Sequence, residues 1–150
     1  LATVLGDESG SRLFWELVDT GLVEYAALSP QEYQGAGVNF TSVGCNPSDA
    51  AENLQKIREI YLQAEAENIT QEELTQAQNK ICAHIVLQAE RPTNRMFSVG
   101  HNWIQRREYR TLREAVDTYR NVTLADTARV LERFPLSKFA TIAVGPLERL

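Results

Sequence analysis

Three times from residue 70 onward this chain sets a threonine three residues ahead of an acid, at the head of an apolar-periodic run. The pairs are Thr70 with Glu73, Thr111 with Glu114, and Thr123 with Asp126. In such a pair the hydroxyl accepts from the backbone N–H three residues on, and the acid reaches back to the threonine's own N–H. Each pair therefore fixes a helix start, which commits most of residues 70–133 to helix. Leu74, Ala77, Ile81 and Ile85 form the buried stripe of the first of these helices. Pro92 ends it near Arg91. A further helix over 93–105 follows, with Met96, Val99 and Trp103 apolar.

Upstream, "NPSDAAENLQKIREIYLQAEAENI" predicts another long helix. Asn46 stands at the cap, and Pro47 takes the first helical position, where a missing N–H costs nothing. Leu54, Ile57, Tyr61 and Ala64 make its apolar face. Residues 9–20 read as a helix with Leu13, Phe14, Leu17 and Val18 on one side, ended by Gly21. Between these helices lie two strand-like runs, 22–29 and 36–44. Val23, Tyr25 and Ala27 alternate with Glu24 and Ala26, and Val38, Phe40, Ser42 and Gly44 alternate with Asn39, Thr41 and Val43. The connector "SPQEYQGAG" joins them as an antiparallel pair. The closing run "KFATIAVGP" is rich in β-branched residues and reads as a buried strand.

The order is helix, two strands, five helices, one strand. That predicts an α+β fold, an antiparallel sheet covered by several helices. Three strands make a thin sheet for so many amphipathic helices. The expectation is one partial domain over residues 1–150, its opening strands lying before Leu1, with an exposed sheet edge that favours homo-oligomers.

The chain has 150 residues and 43% hydrophobic content, enough for a core. With a net charge of −5 and only Arg106, Arg107 and Arg110 clustered, nucleic acid is a poor partner. No apolar run approaches the roughly 20 residues of a membrane span. There is no signal-peptide pattern, which says little where the opening strands are expected before Leu1; the expectation is a soluble protein, with the bacterial cytoplasm and the periplasm both open. Cys45 and Cys82 match no metal or redox spacing and read as free, buried thiols. Asn39, Asn68 and Asn121 open short Asn-x-Thr sequons, which matter only in a glycosylating cell. His84 and His101 stand in no zinc-binding helical motif and read as partly buried structural histidines. "GDESGS" lacks the Lys-Ser/Thr of a phosphate loop, and its acids suit capping. From the residues alone, the chain holds no self-contained active site.

Several segments, in order, resemble one family. "LGDESGSRLFWELVDTGLVEYA" is similar to the stretch that pitrilysin/insulinase-type zinc metallopeptidases write as LG-x-G-x-x-SRL[FY]-x-x-L, a short link, then a tyrosine opening a strand. Ser11, Arg12, Leu13, Phe14 and Leu17 match, and Tyr25 falls on the tyrosine. "NITQEELTQAQNKICAHIVLQAERPTNRMFSVG" resembles the family's "GITEEELERAKNQL" helix, a small-residue break and the next helix. "VTLADTARVLERF" and "TIAVGPLERL" resemble its closing helix and its last strand with Gly-Pro-Leu.

The resemblance implies similar α+β domains that close in pairs around an unfolded peptide. Zinc, held through His-x-x-Glu-His and a later Glu, belongs to the companion N-terminal domain or subunit. The non-metal C-terminal domain walls the chamber and helps bind peptide, with an arginine and a tyrosine. On this reading the chain is the later part of that C-terminal domain. It has no catalytic or metal residue of its own, and Tyr25 is its candidate substrate-binding residue. Where the family has the arginine, this chain has Val18. The alternatives are a non-enzymatic scaffold or inactive partner subunit of the same fold, and an unrelated helical interaction module.

Overall fold

The computed structural model describes residues 1–33 and 35–146. These group into two compact units: residues 1–31, 38–69 and 124 onward form the first, residues 32–37 and 70–123 the second. The elements are α1 (Ala2–Gly6), a π-helical segment (Phe14–Val18), β1 (Tyr25–Tyr33), β2 (Ala36–Gly44), a 3₁₀ turn (Pro47–Asp49), α2 (Ala50–Glu67), α3 (Gln71–Ala89), α4 (Pro92–Arg106), α5 (Leu112–Arg120) and α6 (Leu124–Arg133). The α+β class holds, as a two-stranded antiparallel sheet with several helices.

In the first unit the helix expected over 9–20 is shorter, spanning 12–18. Ser11 explains its start. Its hydroxyl donates to the Asp7 carbonyl at 2.7 Å and accepts from the Phe14 N–H at 3.1 Å, which holds residues 8–10 in a turn. The Asp19 N–H then reaches the Phe14 carbonyl, a five-residue step that widens the helix before Gly21 leaves at φ +75°. Leu13 and Leu17 are fully buried. They meet Leu5, Val23, Ala26 and Leu28, and from α2 Ile57, Ile60, Tyr61 and Ala64.

The buried face of α2 begins at Asn53 and includes Ile60, while Leu54 sits half-buried beside it. Asn53 faces inward because its amide donates to the Leu22 carbonyl at 3.3 Å, tying the helix to the approach of β1. Along β1 the inward residues are Ala26 and Leu28, so Tyr25 and Ala27 lie on the other parity from that core face. Gly6 sets this register. A Cβ there would stand 2.4 Å from the Leu28 Cβ and 2.5 Å from the Leu28 amide nitrogen, so α1 meets β1 backbone to backbone.

The expected third strand is not formed. Residues 139–144 are irregular, with Ile142 and Val144 exposed by 91% and 98%. A strand needs a neighbour's N–H and C=O groups, and the sheet among the described residues pairs only β1 with β2. Phe139 alone of this run docks, with its ring edge-on to Tyr61 at 6.3 Å and under the Arg58 guanidinium. Leu147, of the Gly-Pro-Leu motif, lies outside the described residues.

Between α2 and α3 the backbone of Asn68 takes φ +64° and ψ −170°, a region otherwise left to glycine. Its side chain makes this tolerable. The amide donates to the Leu124 carbonyl at 2.9 Å, its oxygen accepts from the Thr127 hydroxyl at 3.0 Å, and Arg12 donates to its carbonyl at 3.2 Å.

In the second unit two capping boxes form as expected. Glu73 N–H reaches the Thr70 hydroxyl at 3.1 Å and Glu114 N–H the Thr111 hydroxyl at 3.2 Å, each returned by the carboxylate. At the end of α5 the Gln78 amide of α3 donates to the carbonyls of Tyr119, Arg120 and Val122, satisfying terminal groups that α5 cannot. No residue of α4 is buried: of the expected apolar face Met96 and Trp103 are more than half exposed and Val99 is half-buried, and Phe97 and Ile104 are more than half exposed as well.

Three outcomes follow. Gly6→Ala forces α1 off β1 and costs about 1–3 kcal/mol in denaturant unfolding. Asn68→Ala keeps the strained backbone and loses two hydrogen bonds, whereas Asn68→Gly loses the bonds and relieves the strain. Alanine therefore falls below glycine by about 1–2 kcal/mol, and equal stabilities would refute that account. The Tyr61 phenol is buried and bonded to Thr41 at 2.7 Å, and burial raises its pKa above the ordinary 10.0. A raised acid pKa means that the folded state holds the proton more tightly. Its contribution is complete below pH 10 and is lost as pH climbs through the folded value. Tyr61→Phe costs about 1 kcal/mol at neutral pH and makes the alkaline fall in unfolding free energy shallower.

Candidate functional site

Tyr25 is placed by the two segments that meet at the base of the hairpin. The Leu17 carbonyl accepts from Leu22 and Val23, which turns the chain out of the π-helical segment. Glu24 N–H then donates to the Gly44 carbonyl at 2.8 Å and fixes the mouth of the pair. Because Ala26 takes the core face, Tyr25 is 53% exposed. Its ring lies over Gly44: a Cβ on that glycine would meet ring carbons at 2.4, 2.8 and 3.2 Å. The ring is thus held against backbone, and its hydroxyl makes no hydrogen bond among the described residues. A phenol so placed offers a single O–H donor to an incoming carbonyl.

Val18, where the resemblance puts an arginine, is half-buried and packs against the core cluster. Arg12 donates to the Asn68 backbone carbonyl at 3.2 Å. His84 and His101 are both exposed, not partly buried as expected, because the α3 and α4 positions they occupy face away from the packed stripe. Both cysteines are free, Cys82 buried against the Val116 carbonyl and Cys45 half-buried. Among the described residues no three His, Cys, Asp or Glu side chains converge as a metal site. No helix among them is long and apolar enough to cross a membrane. A cleft between the end of α2 and α6 is lined by Glu65, Glu67, Glu132 and Lys138, but Glu65 is already engaged by the backbone N–H and hydroxyl of Ser137. Gly44 was missed from the sequence. A glycine ending a strand run opposite an aromatic is the signal that could have found it.

Comparison with known proteins agrees with this picture. An uncharacterized zinc protease of Mycobacterium leprae (strain TN) is 23% identical over 147 residues, 97% of this chain and 33% of that protein. The chain therefore spans about a third of that relative's length. Among solved structures, a conserved protein from Enterococcus faecalis V583 superposes with a TM-score of 0.76 at 17% identity, over 88% of this chain and 31% of that one. A protease from Helicobacter pylori gives 0.73 at 20% identity, over 88% and 32%. The sequence profile of the peptidase M16 inactive domain matches residues 1–81, more than half of the chain, and the chain therefore belongs to the peptidase M16 family as a domain of that inactive type.

Proposed function

We propose that this chain walls the substrate chamber of a zinc metallopeptidase and grips peptide there, while a companion domain or subunit of the same fold hydrolyses it. One observation carries the reading: Tyr25, aligned with the family's strand tyrosine, stands half-exposed on a backbone seat with its hydroxyl uncommitted among the described residues. A phenolic donor held at a fixed point hydrogen-bonds a peptide carbonyl with little ordering cost, and counts most where charge develops in a water-poor site. Among the described residues no three His, Cys, Asp or Glu side chains come together, so those residues do not fit a zinc site, which needs three or four converging ligands. In the companion, the metal would polarise the scissile carbonyl and activate water. The relative's length leaves room for such a companion.

A second reading is favoured by Val18. The arginine of the family's gripping pair is replaced by an apolar residue that packs on the core, as in a partner whose role is assembly. Cleavage of fluorescein-labelled casein by the full-length protein separates the two. The chamber reading expects turnover, with Tyr25→Phe lowering kcat/KM by about 3–10-fold, the worth of one hydrogen bond, and zinc content unchanged. A full-length protein that holds stoichiometric zinc in no companion and leaves casein intact would be the scaffold.

A further inference from the structure

We propose that Gly44 is a positioning residue for Tyr25, keeping the strand bare so that the phenol is aimed at peptide; this rests on the reading of Tyr25 given above. Gly44 differs from three other glycines of the first half. Gly10, Gly21 and Gly35 have φ between +75° and +77° and open space where a Cβ would be. Their backbone angles require glycine. Gly44 is the reverse: it is not among the positive-φ glycines, it ends β2 as a regular strand residue, and any L-residue suits its backbone. What it lacks is room. The three nearest atoms to a Cβ there are all ring carbons of Tyr25. Glycine weakens a strand and typically marks a place that something approaches closely. Here the neighbour is one aromatic side chain, and the Glu24–Gly44 hydrogen bond holds the two strands at that level.

The seat has a consequence for χ1. A tyrosine on an exposed strand face shares its population among staggered wells. Lying against Gly44 selects one of them, and the hydroxyl is carried to one place. A methyl at residue 44 removes that well and leaves the core untouched, because Ala26 and Leu28 point the other way.

The test is a double-mutant cycle on the full-length protein, with affinity for fluorescein-labelled casein peptides read by anisotropy. Gly44→Ala weakens binding by about as much as Tyr25→Ala, some 3–10-fold on the scale of one hydrogen bond, and adds nothing in the Tyr25→Ala background. A merely structural glycine would lower stability in both backgrounds and affinity in neither. If Tyr25→Ala weakens binding and Gly44→Ala does not, the proposal is overturned and the reading of Tyr25 stands. If Tyr25→Ala leaves affinity unchanged, the reading of Tyr25 falls and takes the proposal with it. Should Gly44→Ala fail to fold, NMR of the wild type decides. A Gly44 Hα signal shifted upfield by the ring, free and peptide-saturated alike, supports the seat, and loss of that shift in the bound state overturns it.

Discussion

The first unit depends on one amide. Asn68 stands where α2 must stop and the chain must turn, and its backbone is held at φ +64°, ψ −170°. That conformation costs on the order of 1–3 kcal/mol for a residue with a Cβ. It persists because the residue is bonded on every side. Its N–H closes the last turn of α2 on Ala64, its carbonyl accepts from Arg12, and its side chain reaches Leu124 and Thr127 at the head of α6. Segments separated by more than fifty residues of chain meet at this one residue. Glycine would take the angle without strain but could reach neither Leu124 nor Thr127. Asparagine accepts the strain and in return fixes where α6 begins.

The hairpin shows how close approach is managed by removing side chains. At Gly6 the neighbour is backbone, so α1 is pressed onto β1 and the register of the inward residues follows. At Gly44 the neighbour is a ring, so the constraint falls on an exposed side chain and leaves the core alone. The first glycine serves the fold. The second changes only what the outer face presents. This difference separates stability from presentation within one two-stranded sheet, and it explains why Tyr25 is both fixed and exposed.

What the sequence disclosed follows from how local each cause is. The capping boxes at Thr70 and Thr111 are contained in four residues each, and they formed as read. The end of α3 before Pro92 is equally local. The π-helical step after Ser11, the inward turn of Asn53 and the hydrogen bonds of Asn68 depend on distant partners, and no periodicity reports them. Asn68 looked like a sequon acceptor, yet its amide nitrogen is occupied by the Leu124 carbonyl. The run 139–144 failed as a strand for a related reason. Its composition suits a sheet, but composition cannot supply the neighbouring strand. Of the site, Tyr25 was legible only through resemblance. The ring seat was not, because nothing in the order of residues 25 and 44 says that they touch.

The exchange of an arginine for Val18 bears on what sort of grip remains. A guanidinium binds carboxylates in a two-pronged, charge-assisted fashion. It would favour a peptide's C-terminus or an acidic side chain. Val18 instead adds apolar surface to the core, and in the grip proposed above the group on this side is a neutral phenol with one donor. Such a group matches a backbone carbonyl, which every peptide offers at every residue. Within the proposed chamber the hold would therefore be on main chain and indifferent to sequence and to the position of the terminus. A single neutral hydrogen bond is also weak, on the order of 1 kcal/mol. It becomes useful only if its geometry is set beforehand, so that little ordering cost is left to be met on binding. On that proposal, a valine where the resemblance puts an arginine makes the preset aim of Tyr25 more consequential, and a bare Gly44 against the ring is the simplest way for a strand to provide it.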